Sequence, residues 1–253
     1  MEMRRLAVSV VPVVVLTMAL FPPSAVADGG WMEAHATFYG DESGAETMQG
    51  ACGYGDLFQQ GYGLDTTALS VALFSDGWAC GGCYEIQCHD NPDCKPDPVT
   101  VTATNLCPAN YSKPNENWCN PPLKHFDLSK PVFLRLADFR VGIIPVQYRR
   151  VPCAKKGGVR VEMTGNQFWI GVLVFNVAGS GEVKALAVKG SEDGQWRAMK
   201  RNWGQIWDGD VHKLVGQALS FYIVTTDGRA VVLDSVVPTT WAIGQSFEGK
   251  GQF

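Results

Sequence analysis

The chain has 253 residues, 46% of them hydrophobic, with 28 glycines, eight cysteines and a formal net charge of −4. That suffices for one large domain or two small ones with packed cores, and it excludes the strongly basic classes that bind nucleic acid or anionic membranes by charge. Residues 28–156 carry 15 acids against 10 bases and residues 157–253 carry 9 of each, net −5 and 0, so a polymer held by the second half is expected to be neutral.

Residues 1–27 read as a secretory signal peptide: Arg4 and Arg5, an apolar run from Leu6 to Phe21, then Ala25-Val26-Ala27 as a small-residue cleavage site before Asp28. The run is too short for a membrane anchor, and no later stretch would span a bilayer. All the cysteines (52, 80, 83, 88, 94, 107, 119 and 153) lie between Cys52 and Cys153. In an exported protein their even number predicts four disulfides, and spacing alone does not choose the pairing. The competing reading makes Cys80, Cys83, Cys88 and Cys94, with His89, zinc ligands. Export and the even count disfavour it, and neither a metal nor a cofactor is expected.

In chain order, Trp31 to Gly40 is strand-like, with Thr37 and Tyr39 on one face. A glycine-punctuated loop follows, whose Gly50-Ala51-Cys52-Gly53-Tyr54-Gly55 lacks the Lys-Ser/Thr ending of a phosphate loop. Thr67 to Phe74 fits either a helical turn or a buried strand. Tyr84 to Cys88 and Val99 to Thr104 alternate as strands do, the second delivering Asn105 and Cys107 to its end. Gly142 to Val151 closes the cysteine-rich part as a last strand. Many short strands between long loops predict a disulfide-tied β-barrel over residues 28–156.

Inside that barrel, Asp127 stands between His125-Phe126 and a short helix expected over Pro131 to Ala137. One reading makes Asp127 or Ser129 the helix cap. The other makes Asp127 a cleft carboxylate whose pKa an aromatic neighbour raises, able to hold and give a proton beside a sugar oxygen. Asn110-Tyr111-Ser112 is a glycosylation sequon in a loop, making Asn110 a candidate modification site.

After the linker Ala154 to Gly158, the runs 159–163, 168–177, 183–188, 219–225 and 230–237 are β-rich, and Asp227-Gly228 is a hairpin signal. They predict a β-sandwich over residues 157–253. Trp169, Trp196, Trp203, Trp207 and Trp241 are more than so small a core easily buries. A line of exposed rings on a sheet is a surface on which a neutral sugar chain stacks.

Several motifs together carry a resemblance: Ala36-Thr37-Phe38-Tyr39-Gly40, Gly50 to Gly55, Cys80-Gly-Gly-Cys83, Asn105-Leu106-Cys107-Pro108, His125-Phe126-Asp127-Leu128, Tyr148 to Cys153, and Arg201-Asn202-Trp203-Gly204-Gln205. Over its whole mature length the chain resembles the plant α-expansins. The resemblance implies an all-β protein, a double-psi β-barrel followed by an immunoglobulin-like β-sandwich that binds carbohydrate. It implies a secreted, monomeric plant cell-wall protein that binds cellulose, xyloglucan or other matrix glucans and loosens the wall without hydrolysis. It further implies disulfides Cys52–Cys80, Cys83–Cys153 and Cys88–Cys94, with Cys107 left for Cys119. Thr37, Tyr39, His125 and Asp127 would line the cleft, with Asn105 where other branches of the family carry Asp. Trp169 and Trp203 would lie on the sugar-binding face and Trp207 in the core.

The barrel is shared with inverting endoglucanases, whose acid Asp127 matches and whose base expansins are understood to lack. This chain departs from the usual α-expansin pattern in that Asp41 directly follows Gly40, at the spacing from Tyr39 that the hydrolase base has. A weak inverting endoglucanase using Asp127 and Asp41 is therefore one alternative, and a binding or defence module without loosening activity is the other. The acidic balance is a second departure and predicts weak attraction to pectin.

Overall fold

The computed structural model describes residues 30–114 and 116–253; the leader read over residues 1–27 lies outside the described residues. The first part supplies strands β1 (Met32–Tyr39), β2 (Thr66–Leu69), β3 (Cys83–Cys88), β4 (Val99–Leu106), β5 (His125–Ser129) and β6 (Ile144–Val151). They close into a barrel in the order β1-β5-β2-β4-β3-β6. β1 pairs with β5 and β2 with β4 in parallel, while the other pairings are antiparallel. These two parallel pairs, set in an otherwise antiparallel barrel, make the double-psi arrangement.

Side-chain alternation explains the barrel's inside and outside. On β5, Phe126 and Leu128 point inward and are fully buried, whereas Asp127 between them points out of the barrel. Phe126 meets Tyr84 and Tyr148 edge-on, with ring centroids 5.3 and 4.9 Å apart. Phe133, Leu136 and Ile144 complete this core.

The ambiguous stretch 67–74 is both things in turn: β2 ends at Leu69 and, after Ser70, a single helical turn α1 (Val71–Phe74) begins. Helix α2 (Lys130–Leu136) has Ser129 as its N-cap residue and Pro131 in its first turn. Asp127 lies mid-strand, two residues before that cap, so the capping reading of Asp127 falls. Asn105 lies within β4 rather than beyond its end. The cysteines pair as Cys52–Cys80, Cys83–Cys153, Cys88–Cys94 and Cys107–Cys119, the four pairs that the resemblance implied. These bonds take up the sulfurs that the zinc reading required.

The second part is a sandwich of β7 (Arg160–Asn166), β8 (Trp169–Phe175), β9 (Val183–Gly190), β10 (Arg197–Ala198), β11 (Lys200–Trp203), β12 (Ile206–Asp208), β13 (Leu219–Thr225), β14 (Ala230–Val237) and β15 (Ser246–Glu248). One sheet runs β10-β9-β13-β14 and the other β11-β12-β8-β7-β15. Strands β10, β11, β12 and β15 had no reading in the sequence, because they are two to four residues long and carry no period that alternation could reveal. The inner faces join Val161, Met163, Val172 and Val174 to Leu186, Val188, Phe221 and Ile223. Trp207, 3% exposed, belongs to this core.

The outer face of the five-stranded sheet is not wholly free. Leu173 and Phe175 of β8 and Ile206 of β12 belong to the same apolar cluster as the barrel's Tyr54, Leu57 and Tyr62. Buried Gln205 donates its backbone N–H to the Cys52 carbonyl at 2.9 Å and its side-chain amide to the Cys80 carbonyl at 3.0 Å. Barrel and sandwich thereby share a continuous apolar interior.

Candidate functional site

Strand register assembles a transverse row on the outside of the barrel. Thr37 of β1 faces Asp127 of β5, Asp127 faces Ala68 of β2, and Ala68 faces Asn105 of β4. The small Ala68 leaves a floor between the carboxylate and the amide. The preceding position on the same face pairs His35 with His125. Tyr39 completes the groove: the charge of Asp127 acts on its phenol, whose pKa burial pushes up. The structure thus brings Thr37, Tyr39, Asp127 and Asn105 to one groove, whereas His125, expected to line it, is 1% exposed and reaches it only through Thr37 Oγ1.

Hydrogen bonds link three of them. Thr37 Oγ1 donates to Asp127 Oδ1 at 2.8 Å and lies 2.8 Å from His125 Nε2. While Asp127 is ionised, the hydroxyl gives its proton to the carboxylate and can only accept from an Nε2–H imidazole. With Asp127 protonated at Oδ1, the chain reverses and Nε2 becomes the acceptor. Burial, chiefly, pushes the Asp127 carboxyl up, and the bond from Thr37 opposes it. Burial and the charge of His35 bring His125 down to about 4, so the imidazole is neutral over most of the pH range in which proteins fold.

The aromatic neighbour differs from the one expected. Phe126 points into the barrel, because consecutive strand residues face opposite ways, and the aromatic ring beside Asp127 is Tyr39 from the adjoining strand. The Tyr39 hydroxyl is shielded from solvent. Asn105 is near enough to oppose the rise in the Tyr39 pKa, but lies outside hydrogen-bond geometry.

Asp41 is engaged elsewhere. Its Oδ2 accepts from Ser43 Oγ at 2.6 Å, which holds its carboxyl below the usual range, while Oδ1 is shielded without a partner.

Asn105 Oδ1 accepts two backbone N–H bonds at 2.8 Å, from Ala51 and Leu106. The first pins the loop Gly50–Gly55 to the groove wall. Gly53 in that loop has a positive φ of 83°, and a Cβ there would stand 3.3 Å from Trp203 Cη2, so the indole lies directly against it. Trp203, 47% exposed, lies beyond Gly53 on the outer face of the five-stranded sheet. Trp169 is half-buried on the same outer sheet face, its ring lying across Gly171, where a Cβ would be 2.5 Å from Cη2.

Other groups here had no signal in the sequence. Trp118, 41% exposed, stacks on His35 with ring centroids 4.5 Å apart at one end of the groove. Trp118 lies in a loop far from β1 in the chain, so no local pattern reveals that neighbour. Trp78 lies under the Arg201 guanidinium at 4.1 Å, and Phe168 at the β7–β8 turn is 87% exposed. Asn110 is exposed, its Oδ1 accepting from the Ser112 N–H at 3.1 Å.

Residues 159–238 match the family described as Expansin C-terminal domain, and residues 66–148 the family described as Lytic transglycolase. Expansin-A22 of Arabidopsis thaliana is 53% identical over 232 residues, covering 91% of this chain and 82% of that protein. Expansin-A13 of Oryza sativa subsp. japonica is 48% identical over 249 residues, covering 93% and 95%. The chain belongs to the expansin family. In fold it is similar to the apo expansin of Clavibacter michiganensis, 22% identical with a TM-score of 0.64 over 88% of this chain and 97% of that one. A mutant of the bacterial protein has also been crystallised with cellohexaose. Among the described residues no helix is long and apolar enough to cross a membrane.

Proposed function

We propose that this protein is exported to the plant cell wall and acts there as a monomer, binding cellulose and matrix glucans such as xyloglucan and loosening the wall without cutting polysaccharide. Residues 28–156 form the barrel domain in this reading and residues 157–253 the carbohydrate-binding domain. The observation that carries it is the setting of Asp127, a half-buried carboxyl with a raised pKa whose hydrogen-bond partner is the Thr37 hydroxyl, while Asp41 is bonded to Ser43 in its own loop. Protonated, it offers an O–H to a glucan oxygen. Inverting hydrolysis needs in addition a base holding water on the opposite side, with the two carboxyls roughly 6.5–9.5 Å apart. Asp41, bonded to Ser43 in its own loop, is not prepared for that role.

Thr37, Tyr39 and Asn105 would seat one glucan in the groove, with buried His125 orienting the Thr37 hydroxyl, and Trp203 and Trp169 would hold its continuation by stacking. Binding along that surface offsets the cost of separating the chain from its neighbours. Family membership and the cellohexaose complex of a bacterial relative support this substrate class. The mechanism requires no metal or cofactor.

The test is extension of isolated wall specimens under load, measured against pH. The wild type should extend faster as pH falls through the raised range of Asp127, and Asp127→Asn should abolish extension at every pH. Undiminished extension by the variant would remove Asp127 from the mechanism. A parallel assay for reducing ends on soluble glucan should stay flat; sustained product that disappears in Asp41→Ala would replace this reading with the endoglucanase one. Binding to cellulose without any extension would leave only the binding module.

A further inference from the structure

A second concavity, of about 710 Å³, opens between barrel and sandwich and shares no lining residue with the groove around Asp127. Four cations line it, Arg149, Lys155, Lys156 and Arg160, against two acids, Asp65 and Glu85. Both acids are already engaged, Glu85 with Arg149 at 2.6 Å and Asp65 with Arg135 at 2.6 Å. Arg160 is bound to Glu248 at 2.8 Å. Among the described residues, Lys155 and Lys156 have no carboxylate partner.

Lys155 is the more telling of the two. Its Nζ contacts Thr102 Oγ1 at 3.4 Å and stands 4.4 Å from the centroid of the Tyr62 ring. A buried hydroxyl and a buried ring are poor compensation for an ammonium withdrawn from water. Burial accordingly brings its pKa down to about 8. Lys156, adjacent and exposed, stands at the rim.

We propose that this crevice binds the carboxylate of a uronic acid residue in an acidic polysaccharide, with Lys155 as the half-buried contact and Lys156 at the mouth. A volume of this size accommodates a few sugar rings. Thr100 and Thr102 bring hydroxyls for ring oxygens. The recognition elements are two separate ammonium groups rather than an arginine fork, which suits single, spaced negative charges better than a phosphate dianion. That the carboxylate belongs to a polysaccharide rests on the wall function proposed above, whereas the carboxylate site itself does not. The net negative charge of the chain opposes a polyanion elsewhere on the surface, which confines the attraction to this crevice.

The experiment is calorimetric titration of the full mature chain, at pH 6 and low ionic strength, with a hexamer of galacturonic acid, monomeric glucuronate, acetate, inorganic phosphate and cellohexaose. The uronate hexamer should bind. Lys155→Met should weaken it about tenfold or more, Lys156→Met should weaken it about threefold, and Lys155→Arg should recover part of the loss. Cellohexaose should bind all three variants as it binds the wild type, which also shows that they are folded. No uronate binding by the wild type, or binding untouched by both Met variants, would overturn the proposal. So would acetate or phosphate binding as tightly as the uronate hexamer. Loss of cellohexaose binding in Trp203→Ala, with uronate binding retained, separates the fate of the glucan reading from that of this site.

Discussion

His125 and Asp127 occupy alternate positions of one strand, and their protonation pulls the fold in opposite directions. In the unfolded chain an imidazole takes its proton near pH 6.5, whereas folded His125 does so only at about 4. The folded state therefore favours the neutral ring. This stabilisation is complete above pH 6.5 and disappears as pH falls through about 4, a change on the order of 3 kcal/mol. Urea unfolding at pH 7 and pH 4 should show His125→Gln losing much less stability on acidification than the wild type; an equal loss would place the acid sensitivity elsewhere. Asp127 has the reverse sign. Its carboxyl is raised, so the contribution of the neutral acid is complete below its unfolded pKa and lost as pH rises through the folded one. At neutral pH, Asp127→Asn should accordingly be more stable than the wild type in thermal melts while failing to extend walls. Acid that protonates Asp127 also protonates His125 once pH nears about 4, and the stability lost there sets a lower limit to the working pH.

At the level of elements, the deciding feature is the irregularity in β4. Opposite Thr67 and Ala68 its register skips from Ala103 to Asn105, leaving Thr104 as an extra residue whose carbonyl accepts from Cys52 at 3.2 Å. The bulge turns Asn105 toward Ala51 and so fixes the loop against which Trp203 rests. Trp203→Ala should lower cellulose affinity about tenfold, of the order expected for losing one well-stacked ring, with the melting temperature little changed because the indole is largely exposed. Asn105→Ala should produce part of the same loss from a distance, and Asn105→Asp, which keeps the acceptor, should restore it in cellulose pull-down. Equal binding by Asn105→Ala and the wild type would free the platform from the bulge. How much of this was legible varies with the physics of each element. β1, β3, β4, β6 and the longer sandwich strands alternate strongly enough to be read, and Asp127 and Trp203 sit in recognisable motifs, whereas β5, buried at four of its five positions, has no alternation to read and its strand escapes the sequence. The bulge, the stacking of Trp118 on His35 and the short strands β10 to β12 are products of register and of contacts between segments far apart in the chain. No local pattern encodes those.

For the whole molecule, the proposed mechanism requires groove and platform to act on one glucan together, and that depends on how stiffly barrel and sandwich are joined. The junction includes a backbone contact that only glycine permits. A Cβ on Gly181 would stand 2.1 Å from the Gly81 carbonyl oxygen, and one on Gly81 would stand 2.4 Å from that of Gly181. Both glycines also have positive φ, 74° and 85°. Beside them Arg150 donates to the Ser180 carbonyl at 3.0 Å, pairs with Glu182 and lies 4.6 Å from the centroid of the Tyr84 ring; Cys153, bonded to Cys83, bridges to Gly179. Gly181→Ala forces the backbones apart at this point without touching the groove or any exposed ring, at a cost of roughly 2 kcal/mol or more. Calorimetry should then show the unfolding of the wild type shifted down and divided into two transitions, as coupling between barrel and sandwich is lost. The variant should still bind cellulose through Trp203 and Trp169, yet extend walls poorly, because a glucan held on the sandwich would no longer be led into the groove. Full wall extension by a variant whose two transitions have separated would mean that each half acts alone, and the continuous surface would have no part in loosening.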